Sequence, residues 1–463
     1  MKLNYFNFKE FEGKILITND LGCHIFLSKK DFKKLLEKDI DINSDLGKAL
    51  LENNFIYDKS NLEYSSHLKH DMRRIKSHML TATSLHIFVV TTACNMKCVY
   101  CQANNGITSP SMFMTREIAQ KAVDIALSSP ADYLTFEFQG GEPLLNFDVV
   151  KYIVEYTEEH KGNHNIQYNI VTNLTLLTDD ILEFLENYKF GISTSIDGPD
   201  FLHNQNRPMK SGEETFEITR NAINKIRKKG IHIGAIQTTT RASLSYPREI
   251  VQTYNELGFE GVFIRPLTPL GKATLNWEKV GYTAKEFLDF YTQAIEEVIK
   301  INQKGKFFKE DHAAILMNKI EGNSVNYMEL RSPCGASIGQ LAYFANGDIF
   351  TCDEARMLCE MGDSTFKLGN VQQNTYVEII NNGVCKSVCA SSILETIPTC
   401  CDCVYQPYCG TCPVVNYAKC QDIIEKEPRG YRCAIYSGML DYLFKQLLDD
   451  NPSVTNIIKG WSN

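Results

Sequence analysis

The sequence lacks the features that mark membrane, secreted and nucleic-acid-binding proteins. No apolar run reaches the roughly 18 residues that a membrane-spanning helix needs, so we expect no membrane contact. The opening segment MKLNYFNFKEFEGK has no apolar signal core, which predicts a cytoplasmic protein. The formal net charge is only −8, from 48 basic and 56 acidic side chains, and this mild acidity argues against a partner held by nucleic-acid phosphates.

Cysteine, by contrast, is abundant, with 16 residues in a chain of 463. Thiols stay reduced in an unexported protein, so a disulfide scaffold explains them poorly. Three cysteines fall in 94–101 and twelve in 334–433, and such clustering favours metal binding. Five cysteines outside the regular spacings are predicted to be small buried core residues: Cys23, Cys359, Cys385, Cys389 and Cys420.

Hydrophobic periodicity divides the chain into three predicted parts, 1–80, 81–305 and 306–463. The first part shows three short alternating stretches and then a helix that starts at Ser28, which predicts a small separate module. The second part alternates six apolar strands with six amphipathic helices. The predicted strands are 84–91, 133–139, 166–172, 190–196, 231–239 and 261–267. The predicted helices are 115–128, 146–160, 178–187, 214–229, 246–257 and 283–303, three of them capped by Thr115, Thr178 and Thr283.

Six successive βα units imply a parallel sheet with helices outside it. We therefore predict an α/β protein with a partial (β/α)6 barrel, whose chemistry gathers in the loops after the carboxyl ends of the strands. Residues 306–463 lose this rhythm and are predicted to be loop-rich, with few periodic segments. A segment of this kind needs cross-linking by something other than a large core.

The first predicted barrel strand runs into TTACNMKCVYCQ, in which Cys94, Cys98 and Cys101 are spaced C-x3-C-x2-C. Zinc sites usually use two C-x2-C pairs that supply four ligands, whereas here no fourth cysteine or histidine is nearby. Three thiolates can hold three irons of a [4Fe–4S] cluster and leave the fourth iron open. The motif therefore predicts a cluster with one iron free for chemistry.

This motif, with the aromatic Tyr100 before its last cysteine and a partial barrel around it, resembles the radical S-adenosylmethionine superfamily. The resemblance implies that S-adenosylmethionine chelates the open iron through its amino and carboxylate groups. Electron transfer from an external reductant such as flavodoxin or ferredoxin then cleaves a carbon–sulfur bond, and the resulting 5′-deoxyadenosyl radical abstracts a hydrogen atom from the substrate. The cofactors carry the difficult chemistry, and the protein positions them.

The loops after later strands contain further residues that match the superfamily. Two glycines permit a close backbone approach, a carboxylate can accept bonds from an ammonium, and a guanidinium suits a carboxylate. The predicted S-adenosylmethionine-binding residues are Gln139, Gly140, Gly141, Glu142, Asn173, Ser195 and Arg207. The alternatives are a simple Gly-Gly turn at 140–141 and a surface salt bridge at Arg207.

The C-terminal cysteines resemble the SPASM extension, which carries one or two extra [4Fe–4S] clusters; a zinc ribbon is the alternative. Carried over by position, one cluster is bound by Cys400, Cys403, Cys409 and Cys433, and the other by Cys334, Cys352 and Cys412. The chain departs from this family in two ways. The spacer 410–411 is one residue short, so that Cys401 or Cys420 could substitute, and Met328 stands where fully ligated relatives have a cysteine. The cluster at Cys334, Cys352 and Cys412 is thus predicted to have an open iron, with Cys359 as a possible fourth ligand.

Asp353, directly after Cys352, corresponds to a carboxylate proposed as a base in sulfatase-maturing relatives. A carboxylate near a cluster could take the proton released when a substrate radical is oxidised. The alternative is a hydrogen-bonded loop aspartate, and the neighbouring Glu354 competes for the same role.

Residues 1–80 resemble the winged-helix peptide-recognition element of ribosomal-peptide maturases, which binds a leader peptide by adding its strand to a sheet edge. A lid without a ligand is the alternative. Stretches such as EFQGGEPLLNFD and SIDGPDFLHNQNRP resemble the B component of the His-Xaa-Ser system radical maturases. The resemblance implies an enzyme that oxidatively modifies a ribosomal precursor peptide, through a thioether or carbon–carbon cross-link. A redox-neutral epimerase with Cys359 as hydrogen donor, an anaerobic sulfatase-maturing enzyme and an iron–sulfur electron carrier are the alternatives.

Overall fold

The computed structural model describes residues 2–57, 64–103, 110–323, 325–425 and 430–462. Within these ranges the chain combines a small N-terminal module, a parallel-stranded barrel and a C-terminal extension that continues the barrel sheet. This architecture confirms the predicted α/β fold class with its parallel sheet and cysteine-rich C-terminal region.

The N-terminal module is built from short antiparallel strands and helices. Its elements are β1 (Lys2–Leu3), β2 (Asn7–Phe11), β3 (Lys14–Thr18), β4 (His24–Leu27), α1 (Lys29–Glu37), α2 (Asp45–Glu52), β5 (Ile56–Tyr57) and α3 (Tyr64–Ile75). The strands pair in the order β2-β3-β4, and β1 pairs with β5. Serine hydroxyls cap the first two helices, since Ser28 accepts from the Asp31 amide and Ser44 from the Gly47 amide. The fully buried Leu35 belongs to a separate small core under this sheet.

The barrel consists of alternating strands and helices. Its elements are β6 (Leu85–Thr91), α4 (Arg116–Leu127), β7 (Tyr133–Gly140), α5 (Phe147–His160), β8 (Asn165–Val171), α6 (Asp179–Asn187), β9 (Gly191–Ser195), α7 (Asp200–Asn206), α8 (Phe216–Lys228), β10 (Ile233–Thr238), α9 (Pro247–Glu256), β11 (Gly261–Arg265), α10 (Lys272–Leu275), α11 (Trp277–Val280) and α12 (Ala284–Gln303). Strands β6 to β11 are parallel and neighbour one another in chain order. Each predicted strand and helix is confirmed, with ends within two residues of those expected. Thr115, Thr178 and Thr283 all accept the predicted N-cap hydrogen bonds.

The C-terminal extension adds strands to both ends of the barrel sheet. Its elements are β12 (Lys309–Glu310), α13 (Asp311–Ile320), β13 (Gln340–Tyr343), β14 (Asp348–Phe350), α14 (Asp353–Glu360), β15 (Lys367–Asn370), α15 (Tyr376–Ile380), α16 (Gly383–Ala390), α17 (Pro413–Cys420), α18 (Tyr431–Asp449) and α19 (Pro452–Gly460). Short 3₁₀ helices in the whole chain lie at Ser77–Leu80, Pro143–Asn146, Arg241–Ser245, Met328–Leu330, Leu394–Thr396 and Gln406–Tyr408. Strand β12 pairs with β11, while β13 pairs parallel with β6 and leads antiparallel into β14 and β15.

The extension shares one hydrophobic core with the barrel. The rings of Phe88 in β6 and Tyr343 in β13 stack with centroids 5.1 Å apart, and Phe88 also stacks on Phe138 at 5.8 Å. Strand β6 therefore has a packed neighbour on each side. The loop that follows β6, which contains the C-x3-C-x2-C motif, starts where the barrel and the extension meet.

The expectation that residues 306–463 hold few periodic segments was wrong for α18, which runs for 19 residues. Its buried residues include Ile435, Tyr436, Met439, Leu440 and Leu443, so the i, i+4 spacing of a helix was present in the sequence. This face packs along α12 on the outside of the barrel. None of the helices in the described ranges is long and apolar enough to cross a bilayer.

Candidate active site and metal centres

The loop after β6 brings together the barrel thiols, Cys94, Cys98 and Cys101. The three thiols are close enough to affect one another's pKa: Cys98 raises the pKa of Cys94, and both Cys94 and Cys98 raise that of Cys101. Backbone hydrogen bonds hold the loop from several sides: Val99 N–H to the Asn206 carbonyl at 2.9 Å, Lys97 N–H to the Pro208 carbonyl at 2.9 Å, and Lys272 N–H to the Cys101 carbonyl at 2.9 Å.

The environment of the barrel thiols suits a positively charged metal group. Burial raises the pKa of Cys94 to about 11 and that of Cys101 to about 12, where neighbouring thiols also contribute. Burial thus disfavours the thiolate form of these cysteines, and a cluster would supply the positive charge that thiolates need. Among the described residues no three His, Cys, Asp or Glu side chains converge closely enough for one metal ion. A [4Fe–4S] cluster binds each thiolate on a separate iron, so its ligands surround a space instead of meeting at a point.

The Gly140–Gly141 pair packs against the backbone of the cysteine loop. A Cβ atom built on Gly141 would lie 2.2 Å from the Ala93 carbonyl oxygen. The amide of Gly141 donates to the Thr91 carbonyl, and the amide of Glu142 donates to the Ala93 carbonyl, each at 2.8 Å. The close approach expected of these glycines is thus made to the segment that carries Cys94.

The Glu142 carboxylate is buried and already has several hydrogen-bond donors. Its oxygens accept from the Thr172 hydroxyl at 2.6 Å, the Asn173 amide at 2.8 Å and the Leu144 amide at 3.1 Å. The side chain therefore ties the end of β7 to the end of β8.

Three further predicted residues lie at strand ends on the same side of the barrel. The Asn173 side chain donates to Asn95 Oδ1 at 2.9 Å, which links it to the cysteine loop. Ser195 is the last residue of β9 and is half-buried. Gln139, near the end of β7, donates to Glu137 at 2.6 Å.

Arg207 belongs to a buried polar chain beside the barrel thiols, not to a surface salt bridge. Its Nη1 donates to the Tyr100 hydroxyl at 2.7 Å, and that hydroxyl donates to Asp197 Oδ1 at 2.8 Å. Burial raises the pKa of Asp197 to about 6, although Arg207 and Tyr100 act in the opposite direction. Both side chains lie near Cys98, where Arg207 lowers the pKa of the thiol and Asp197 raises it. The sequence analysis missed Asp197 as a site residue, although its position in the Asp-Gly-Pro segment could have signalled it.

The cavity thiols, Cys334, Cys352 and Cys412, line one cavity in the C-terminal extension. The charges of Cys334 and Cys412 both raise the pKa of Cys352. Met328 and Glu354 also line this cavity. The structure thus brings together the three cysteines that were assigned to one auxiliary cluster.

The four-thiol group, Cys400, Cys403, Cys409 and Cys433, forms a second assembly. Burial raises the pKa of Cys400 to about 12, and the other three thiols and Cys401 raise it further. The short 410–411 spacer still directs Cys409 to this group and Cys412 to the cavity. Gly410 permits this, because a Cβ there would lie 2.6 Å from the Glu329 carbonyl oxygen.

The remaining thiols with a proposed role lie apart from the cavity. Cys420 donates to the Asn416 carbonyl at 3.1 Å, and the Cys359 sulfur lies 3.4 Å from the Ser364 hydroxyl. Neither cysteine lines the cavity. Cys401 adjoins Cys400 and hydrogen-bonds through its thiol to Asp402.

Asp353 is held by a buried arginine that also reaches the barrel. Arg356 Nε donates to Asp353 at 2.6 Å, Nη1 to Glu360 at 2.9 Å and Nη2 to Gln139 at 3.3 Å. The Arg356 side chain is only 2% exposed. The proposed base and the predicted cofactor-binding Gln139 are therefore connected through one guanidinium, which sequence reasoning missed.

Comparisons with known proteins agree with this arrangement. Residues 88–262 match the model of the Radical SAM superfamily. A serine-type anaerobic sulfatase-maturating enzyme of Bacteroides thetaiotaomicron is 26% identical over 82% of this chain and 95% of that protein. A solved structure of native anSMEcpe with bound AdoMet is 23% identical, covers 81% of this chain and 100% of its own, and has a TM-score of 0.68. Streptococcus suis SuiB bound to its precursor peptide SuiA is 16% identical, covers 93% and 98%, and has a TM-score of 0.55; these two likenesses concern the fold.

Proposed function

We propose that this chain, whose residues 88–262 match the model of the Radical SAM superfamily, is a peptide maturase that uses S-adenosylmethionine and iron–sulfur clusters as cofactors. It oxidatively modifies a ribosomally made precursor peptide by forming a thioether or carbon–carbon cross-link. Within the group of radical maturases, the His-Xaa-Ser system B component is the proposed assignment. An external reductant such as flavodoxin or ferredoxin supplies the electron.

The barrel thiols are proposed to hold the cluster that binds S-adenosylmethionine. When bound, these cofactors supply a carbon-centred radical that abstracts hydrogen from the substrate. The residues of the chain bind and orient these cofactors. Glu142 holds the ends of β7 and β8 together, and Arg207, held by its hydrogen bond to Tyr100, places a positive charge beside the cysteine loop. The guanidinium is suited to the methionine carboxylate because its fork of donors matches two carboxylate oxygens.

The two C-terminal thiol sets are proposed to hold auxiliary clusters that accept an electron from the product radical. Their separate grouping, three thiols around a cavity and four in a second assembly, supports two clusters instead of one zinc ribbon. Asp353 is the proposed base that takes the released proton. It lies beside Arg356, which reaches Gln139 at the barrel end.

The docking of the N-terminal sheet onto the cysteine-rich segment carries the proposal of a peptide substrate. Asn7 Nδ2 donates to the carbonyl oxygens of Cys401 and Cys403 at 3.1 and 3.0 Å, and Thr18 Oγ1 donates to the Val404 carbonyl at 2.7 Å. Among the described residues β2 and β4 each pair on one side only, so both present an edge to which a leader strand can add. A leader peptide bound at either edge would thus be held next to the segment 401–404, which contains part of the four-thiol group.

The test is anoxic reconstitution with a short peptide encoded beside this protein, followed by mass spectrometry. We expect formation of 5′-deoxyadenosine and the loss of about two hydrogens per cross-link. A Cys98→Ala variant, which removes one barrel thiol, is expected to abolish both. Failure of the intact protein to cleave S-adenosylmethionine would overturn the proposal, and solvent deuterium uptake without mass loss would show an epimerase instead.

An anaerobic sulfatase-maturing activity is the second candidate, because the likeness to the Bacteroides thetaiotaomicron enzyme extends over most of both chains. Offering a sulfatase-derived peptide and the neighbouring precursor peptide to the same preparation separates the two. Modification of the sulfatase peptide alone would favour the second candidate.

A further inference from the structure

The cavity thiols provide three ligands for a cluster that has four irons. The cavity that they line is formed by the 3₁₀ turn at Met328–Leu330, the segment before β13, and the starts of α14, α17 and α18. Each thiolate takes one iron, so one iron needs another ligand or stays open. The side chains that line the same cavity are the candidates for that position.

Two of these side chains are engaged elsewhere. The Met328 sulfur packs against two glycines, since a Cβ on Gly335 or Gly339 would lie 2.2 or 2.9 Å from it. The Glu329 carboxylate hydrogen-bonds to Arg265 at 2.5 Å and also faces Arg432. A carboxylate held by two guanidinium groups is poorly available to a metal.

Glu354 differs from both. It lies in the first turn of α14, two residues after Cys352, and its side chain lines the cavity. Glu354 lies close enough to all three cavity thiols for its charge to raise the pKa of each of them. None of the ion pairs found among the described residues includes Glu354. Its neighbour Asp353, in contrast, is bound by Arg356.

We propose that the Glu354 carboxylate is the fourth protein ligand of the cluster at Cys334, Cys352 and Cys412. This inference rests on the proposed function, because it requires a [4Fe–4S] cluster at the cavity thiols. On binding, the carboxylate oxygen donates a lone pair to the iron, an iron–oxygen bond forms, and no electron is transferred.

An oxygen ligand changes what this iron can do. A carboxylate is a harder ligand than a thiolate, so a softer thiolate can displace it from iron. Glu354 therefore closes the cluster in the resting protein and leaves one iron exchangeable, whereas a fourth cysteine would leave none. A substrate thiol is the chemical class of ligand that such an iron takes.

The experiment uses the full chain with Cys94, Cys98 and Cys101 changed to alanine, so that only auxiliary clusters remain. In this background we compare the parent with Glu354→Ala, Glu354→Cys and the control Glu360→Gln, and record iron content and the electron paramagnetic resonance of reduced samples with and without ¹³C-cyanide. Glu360 lies on the same helix but is bonded to Arg356, outside the cavity.

We expect shifted g-values in Glu354→Ala and Glu354→Cys, ¹³C coupling at a lower cyanide concentration in Glu354→Ala than in the parent, and the parent spectrum in Glu360→Gln. If Glu354→Ala loses the cluster, its recovery in Glu354→Cys also supports the ligand. Cyanide coupling in the parent with unchanged g-values in Glu354→Ala would overturn the inference, as would cluster loss in both variants. An iron content that stays the same when Cys334, Cys352 and Cys412 are changed to alanine in the parent background would instead refute the cluster that the proposed function places at these thiols.

Discussion

Gly141→Ala is expected to disable the S-adenosylmethionine site while the barrel stays folded. The added Cβ would lie 2.2 Å from the Ala93 carbonyl oxygen, 2.5 Å from the Ala93 carbonyl carbon and 2.7 Å from the Thr92 carbonyl oxygen. Favourable non-bonded separations are about 3.5 Å or more. All three obstacles are backbone atoms, so no side chain can rotate away, and the end of β7 must separate from the cysteine loop by roughly 1 Å.

The magnitude follows from the contacts that this separation breaks. The Gly141 and Glu142 amides each lose a 2.8 Å hydrogen bond to the loop, and each bond contributes about 0.5–1.5 kcal/mol. Overpacking adds about 1–3 kcal/mol. The sum is about 2–6 kcal/mol. If the loop moves instead of unfolding, Cys94 moves with it, and a misplacement of about 1 Å can reduce a rate by about 100-fold.

The assay is 5′-deoxyadenosine formation with excess dithionite, together with the urea midpoint of unfolding. The matched control is Gly234→Ala in β10, where an added Cβ has no atom within 4 Å. We expect the control to retain cleavage and stability, and Gly141→Ala to lose at least about 100-fold in cleavage. Equal behaviour of the two variants would refute the packing account of this glycine pair.

Three further substitutions test other parts of the structure. Tyr100→Phe removes the hydroxyl between Arg207 and Asp197, and such charge-assisted bonds contribute about 1.5–3 kcal/mol, so S-adenosylmethionine measured by equilibrium dialysis should bind at least about tenfold more weakly. Unchanged affinity would show that the hydrogen bonds from Arg207 through Tyr100 to Asp197 do not contribute to S-adenosylmethionine binding. Burial raises the pKa of Glu310 to about 8 from 4.5, so the folded state keeps a proton that the unfolded state releases and stability falls from about pH 5 to 8. Glu310→Gln should remove this part of the dependence of the urea midpoint on pH. An identical pH dependence in the two proteins would contradict a raised pKa at Glu310. Thr18→Val leaves the buried Val404 carbonyl without its donor, which should lower the local stability of the N-terminal module by about 1–3 kcal/mol and make it more sensitive to protease. S-adenosylmethionine cleavage should be unchanged. Equal protease protection of the variant and the parent would show that this bond does not hold the module.

Much of the barrel could be predicted from local signals. The strands are apolar runs of a few residues, and three of the helices between them begin after threonines whose hydroxyls accept a free amide of the first turn. The long helix α18 was missed although its apolar spacing is regular, because the cysteines nearby suggested a loop-rich segment. Its role became clear only from the face that it packs against α12.

The candidate site shows the same division. The resemblance to the SPASM extension predicted which thiols form sets, and the structure places Cys334, Cys352 and Cys412 around one cavity although 77 residues lie between the first and the last. The spacing did not reveal Arg356, which connects Asp353 with Gln139 from another strand. It also suggested Cys359 as a fourth ligand, whereas Glu354 is the side chain that faces the cavity.

By itself the sequence determined the order of strands and helices in the barrel, because this depends on residue type and on spacing along the chain, while its resemblance to known families suggested the cysteine sets and the class of chemistry. Only the tertiary structure decided that Glu329 is held by the distant Arg265 and that Glu354 faces a cavity. Asp353 and Glu354 are adjacent in sequence, yet on a helix neighbouring side chains point about 100° apart, so one meets Arg356 and the other meets the cavity thiols. The partner of Asp353 lies three residues away on the same helix, whereas the side chains that surround Glu354 come from elements distant in the chain, and no local pattern of residues encodes them.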